Sequence, residues 1–113
     1  MADGVRDEAA FLDAWRRGMV IGGPEFFGDQ TGVGETKWDF APRIDDIELR
    51  LSMLSSTEMV FLAAMVSFYN SHIGGKWMSK IMSGDWGMAD LAAGLDPARR
   101  RVIADLLLAY PGW

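Results

Sequence analysis

The densest apolar run in the chain, 59–66, is unbroken, and after Ser67 it resumes in Phe68 and Tyr69. A helix that is apolar on every side is a buried helix. Few β-branched residues occur here (Thr57, Val60, Val66), which weighs against a buried strand. Ser55 with Glu58 three positions on has the form of a capping box. Gly74 and Gly75 offer the positive-φ positions that end helices. The pattern therefore predicts a buried central helix over about 57–72. A membrane span needs about 20 mostly apolar residues. This run is shorter and is closed by Asn70, Ser71 and His72, so no membrane segment is expected.

Three other stretches carry helical spacing. In 5–17, Val5, Ala9, Leu12 and Trp15 share one face, Asp3 suits the cap and Gly18 suits the stop. In 76–82, Trp77, Met78, Ile81 and Met82 oppose Lys76 and Lys80. Asp85 then opens a short turn or helix through Met88 and Leu91 that Gly94 closes. In 96–110, Asp96 caps, Pro97 takes the first position, and Val102, Ile103, Leu106, Leu107 and Tyr110 form the apolar face. Segment 43–54 is ambiguous. Ile44, Ile47, Leu51 and Leu54 fit a helix, whereas Ile47, Leu49, Leu51 and Met53 alternate as in a strand. Helix is favoured, because nothing else supplies a third strand to support a hairpin.

The expected fold is all-α: a small irregular helical bundle around the central helix, in one domain spanning 1–113, with a long Gly/aromatic loop over 19–41. The alternative is α+β, with a small hairpin from 36–40 and 47–53. Loops this long are uncommon unless functional or disordered, and four large aromatics argue against disorder. One reading makes Phe26, Phe27, Trp38 and Phe40 plugs at the edge of the core. The other makes them, with Trp113 and the final helix, a partly exposed partner-binding surface. Between Gly28 and Gly34 a GxG occurs, but the Walker spacing and its Lys-Ser/Thr ending do not, so nucleotide binding has little support.

Composition narrows the function classes. Half of the 113 residues are hydrophobic, which is folded and not disordered material. With no cysteine, disulfides and thiolate metal sites are excluded. Residues 1–60 hold twelve acids against six bases, a net of −6, while 61–113 hold four against five, a net of +1. No broad basic surface exists, so direct nucleic-acid binding is not expected. The acidic half instead allows an inhibitor or nucleic-acid mimic that blocks a basic groove on a partner. Asp3, Asp7 and Glu8 stand where a signal peptide would be basic, so a cytoplasmic location is the expectation.

Candidate chemistry is sparse. His72 is the single histidine, which removes zinc sites that need two. Ser71 or Ser79 with His72 and Asp85 or Asp90 carries no local signature of a triad. His72 is expected in the last turn of the central helix, where partial positive charge is favoured. Asp45, Asp46 and Glu48 lack the spacing of a calcium loop. Arg99, Arg100 and Arg101 fall in a first turn, where basic groups oppose the helix dipole. No catalytic residue, metal or cofactor is assigned. The eight methionines and the large residues Trp86 and Trp113 leave a surplus of apolar surface for so short a chain, which favours a protein partner or a homo-oligomer.

The runs Phe61-Leu62-Ala63-Ala64, Phe68-Tyr69-Asn70, Gly74-Gly75, Ala89-Asp90-Leu91 and Ile103-Ala104-Asp105-Leu106 resemble those of short uncharacterised bacterial proteins carried on plasmids and integrated conjugative elements. The resemblance covers the second half of the chain and implies a bacterial mobile-element origin and a small helical fold. It brings no site residues with it. Three functions follow in order of support: a non-catalytic helical interaction module, an acidic inhibitor, and a small enzyme using His72.

Overall fold

The structure is a computed structural model and describes residues 7–28 and 34–113. Among these residues it is all-α, with six helices and no strand beyond one isolated bridge. The central helix, α3 (Ser56–Tyr69), forms for the reasons its sequence gives. The Ser55 hydroxyl accepts the Glu58 N–H at 3.2 Å, and the Glu58 carboxylate accepts the Ser55 N–H at 2.8 Å. That backbone bond, first among its causes, holds the Glu58 carboxyl below its ordinary pKa. Every residue from Val60 to Val66 is buried.

The end of α3 differs from expectation. The helix stops at Tyr69, and a second long helix, α4 (Ser71–Met82), begins after the single joint residue Asn70. Asn70 serves both: its N–H donates to Val66 O at 2.8 Å, and its Oδ1 accepts the Ile73 N–H at 3.1 Å. Gly74 and Gly75 are thus inside α4 and stop nothing. Gly74 is there for contact, since a Cβ on it would sit 2.5 Å from the backbone N and Cα of Ser67. His72 falls in the first turn of α4 and is exposed, so the favourable dipole expected for it does not apply.

Helix α1 (Glu8–Gly22) is capped by Asp7, whose Oδ1 accepts the Ala10 N–H at 3.0 Å; the expected cap Asp3 and the apolar Val5 lie outside the described residues. Gly18 does not end α1 either. It is buried, and its missing side chain makes room for Met65 of α3 and Val102 of α6 (Pro97–Ala109). The helix runs one further turn, to Gly22, before Gly23 turns it at φ +115°. Helix α6 lies along α1 and carries Val102, Ile103 and Leu106 into the core. Asp96 caps it by accepting the Arg99 N–H at 2.9 Å, and this bond is the main cause of a lowered Asp96 pKa.

The long loop is shorter than its sequence suggests, because α1 takes up 19–22. A 3-10 turn at Pro24–Phe26 and another at Lys37–Phe40 flank 29–33, so the Gly28–Gly34 glycine pattern lies partly outside the described residues. Gly28 N–H donates to Ala41 O at 2.8 Å and Arg43 N–H to Phe26 O at 2.7 Å, tying Phe27 against Pro42. The hairpin alternative fails: 37–40 is a 3-10 turn, and 44–53 is helix α2 (Ile44–Arg50) running into a third 3-10 turn, Leu51–Met53. Ile47 and Leu51, one turn apart, are buried, while Leu49 and Met53 are exposed, which is helical and not alternating periodicity.

Candidate functional site

Of the two readings of the loop aromatics, the plug at the edge of the core holds for three of the four. Phe26, Phe27 and Phe40 are 2%, 1% and 7% exposed, so they are core residues and not a contact surface. The bonds across Phe27 and Pro42 hold the loop down, and the Trp15 indole N–H donates to Phe40 O at 2.9 Å from beneath. Trp38 alone of the four is exposed. Trp113 is partly buried, with its ring 4.8 Å from Trp15, 5.2 Å from Tyr69, 5.9 Å from Phe11 and 6.0 Å from Trp38. Over these rings sits the buried Lys37, whose ammonium donates to Gly112 O at 2.5 Å and pairs with Glu8 at 3.1 Å. Asp39 braces this turn by accepting the N–H groups of Glu35 and Thr36, which hold its carboxyl below the usual range.

Candidate catalytic groups do not converge. His72 has no hydrogen bond or ion pair among the described residues, and Asp90 accepts the Gly87 N–H at 2.9 Å as the cap of helix α5 (Met88–Ala93). Asp46 pairs with Arg43, and Glu48 faces the Trp77 indole at 3.4 Å. Among the described residues no three potential metal ligands come together. The arginine run divides: Arg99 binds Asp96, Arg100 binds Ala92 O, and Arg101 reaches Asp105. No described helix is long and apolar enough to cross a membrane.

What the fold does build is an apolar cleft of about 360 Å³ between α3, α4, α5 and α6. Its floor is Ala64, Ser67 and Phe68 from α3, with Gly74 and Met78 from α4 and Ile103 from α6. Trp86, Met88 and Leu91 close one rim; Leu107 and Tyr110 form the other. The Asn70 joint and the Gly74 contact set the angle between α3 and α4. The outer wall, α5, is held by the Asp90 cap and by the Arg100 guanidinium on Ala92 O at 2.8 Å. Among the described residues no charged side chain lines the cleft. Of the polar side chains in its lining, Ser67 donates its hydroxyl to Ala64 O at 2.6 Å, and Trp86 and Tyr110 bring an indole and a phenol. Such a lining supplies mainly apolar contact area.

At the rim of the cleft Met88 and Leu107 are 66% and 61% exposed and Tyr110 is half-exposed, whereas Leu108, 81% exposed, lines a separate hollow with Asp13, Arg17 and Asp105. The sequence already points to the final helix as a contact surface, but not to the cleft beside it or to Met88 on its rim. The signal was there in Leu106-Leu107-Leu108: successive helical positions are about 100° apart, so three leucines in a row cannot all face one core. The chain matches no protein-family model, and no curated protein or solved structure matches it either.

Proposed function

We propose that this protein is a non-catalytic helical interaction module that meets its partner, in the simplest case a second copy, along the edge formed by α5 and α6. The observation that carries the reading is the exposed apolar rim of the cleft, Met88, Leu107 and Tyr110, because contiguous exposed apolar surface marks interaction sites. The contact surface expected from the aromatic loop is reduced to Trp38 with part of Trp113. An acidic mimic has weaker support, since Glu8, Asp13, Glu25 and Asp46 each have a basic partner within 4 Å and offer less free negative charge. If the resemblance to mobile-element proteins holds, the partner is bacterial. Light scattering across a concentration series tests the reading: wild-type mass rises with concentration and the Met88→Asp variant, altered at an exposed rim residue, stays monomeric. A wild type that is strictly monomeric at the highest concentration, and whose edge methyls are as solvent-accessible as those of the variant, would remove it.

A further inference from the structure

We infer that the α3–α6 cleft is a binding site for a small neutral apolar molecule of about two fused rings or a chain of roughly ten carbons. The size follows from volume. A dry apolar cavity of about 150 Å³ takes up benzene, and about 360 Å³ here is somewhat more than twice that. The class follows from the lining: among the described residues no charge faces the cleft, the Ser67 hydroxyl is spent on Ala64 O, and the remaining polar side chains, Trp86 and Tyr110, are large rings with one polar atom each. A charged ligand would enter without a partner for its charge, and water would find few hydrogen bonds there. Two surface hollows of similar size are different in kind. One is lined by Glu25, Arg43, Asp46 and Arg50 and the other by Glu8, Glu35 and Lys37, with ion pairs within them.

The cleft is also held open. Collapse would require α4 to move onto α3, but the first turn of α4 already touches the Ser67 backbone through Gly74. It would otherwise require α5 to fold inward, against the Arg100–Ala92 bond that fixes it to α6. A preformed apolar site binds without the ordering losses that weaken most association. Elsewhere the chain fills its aromatic crevice with its own Trp113; here no side chain of the described residues occupies the space. The inference shares Met88, Leu107 and Tyr110 with the association proposed above but does not rest on it, because the fluorophore titration reads the cleft and light scattering reads the association.

The test is a titration with the neutral fluorophore N-phenyl-1-naphthylamine, competed with 1-decanol. The expected result is one saturable site, emission sensitised by Trp86 in the wall, and displacement by decanol. Filling the cleft with Leu91→Trp or Leu107→Trp should weaken binding at least about tenfold, whereas Leu49→Ser, on an exposed position outside the cleft, stays within about twofold. Methionine-methyl spectra give a second measurement on the wild type alone. Shifts should appear at Met78 and Met88 and not at Met53, which is exposed and does not line the cleft. Absence of saturable binding by the folded wild type overturns the inference. So do binding that both filling variants leave intact and shifts at Met53 without Met78. Loss of self-association in the filling variants, with no fluorophore bound by wild type, assigns the cleft to a protein instead and overturns it equally.

Discussion

Two aromatic-rich spaces share a wall in this molecule and end differently. Phe68 and Tyr110, with rings 5.7 Å apart, stand between the cleft on one side and, through Phe11, the Trp15–Trp113 cluster on the other. In the cluster the chain turns inward at Pro111 and Gly112, where φ is +92°, and places Trp113 among four rings. Leu91 and Leu107 line the cleft, but no side chain of the described residues fills it. The cluster is nearly all aromatic, while the cleft mixes Phe68, Trp86 and Tyr110 with aliphatic residues. Whether a space is filled depends on which segment reaches it, and the wall between them makes the pair a controlled comparison: one side is structural, the other available.

If that contrast is right, damage should be severe on the filled side. Trp15→Ala removes a fully buried indole and leaves Phe40 O without its donor. The expected loss is about 3–5 kcal/mol in a urea or thermal melt, in the range of buried Trp→Ala substitutions. Next comes a backbone contact. Gly74→Ala drives a methyl to 2.5 Å from the Ser67 main chain, which cannot swing aside, and should cost about 2–3 kcal/mol. Gly18→Ala meets instead the flexible end of Met65, at 2.6 Å from its Cε. Replacing a helical glycine gains up to about 1 kcal/mol of propensity, so this second variant should lie within about 1 kcal/mol of wild type. Equal losses at both glycines would mean that the α3–α4 approach is not what sets the angle of the cleft.

Trp113→Ala separates the two spaces more finely. Its ring is only partly buried, so the expected loss is about 2 kcal/mol. The buried Lys37 should lose its hold on Gly112, and quenching of Trp38 by acrylamide should increase. Fluorophore binding in the cleft should persist, because Phe68 and Tyr110 remain as wall. A Trp113 variant that loses cleft binding would show the two spaces to be one cooperative unit.

The main elements were legible because each has a local signal. The Ser55–Glu58 box, the Asp96–Pro97 start and the apolar run of α3 are all contained within a few residues of sequence. What was misjudged depends on contacts between segments far apart in the chain. Gly18 reads as a stop, yet only the approach of Met65 and Val102 shows it to be a contact. Gly74 and Gly75 read as a terminus because the one-residue joint at Asn70 is too short to register as a break between two helices. The loop aromatics allow two readings in the sequence, core plug or contact surface, because Phe26 and Phe40 are held inward by backbone bonds to 41–43 and by the Trp15 indole, none of which periodicity can express. The cleft was hidden for the same reason, apart from the three consecutive leucines.

Acid should affect both sides together. Asp39 braces the turn beside the cluster, while Glu58 and Asp96 cap two walls of the cleft, and all three carboxyls are lowered mainly by backbone N–H bonds. A group lowered in the folded state contributes stability that is present above its unfolded value, about 4. That stability is lost as pH falls through the folded value. The melting temperature should therefore be flat on this account above about pH 5 and decline below about pH 4. Asp39→Asn should reduce the acid sensitivity while leaving the fluorophore site unchanged. A decline that begins near pH 6 would point to a different group.

The smallest effect is the most informative about the cleft. Leu91→Phe enlarges a half-buried wall residue that faces unfilled space. In a packed core the added atoms would force rotamers out of their wells and cost about 1–3 kcal/mol. In an open cleft they gain apolar contact instead, and filling substitutions of this kind commonly add about 0.5–2 kcal/mol. The rim is solvent-facing, so a gain of less than about 1 kcal/mol is expected, from neutral to slightly stabilising. Measured beside the large loss at Trp15, that sign decides the comparison. A loss of more than about 1 kcal/mol at Leu91 would mean that the walls already touch in solution and that the cleft is as closed as the cluster next to it.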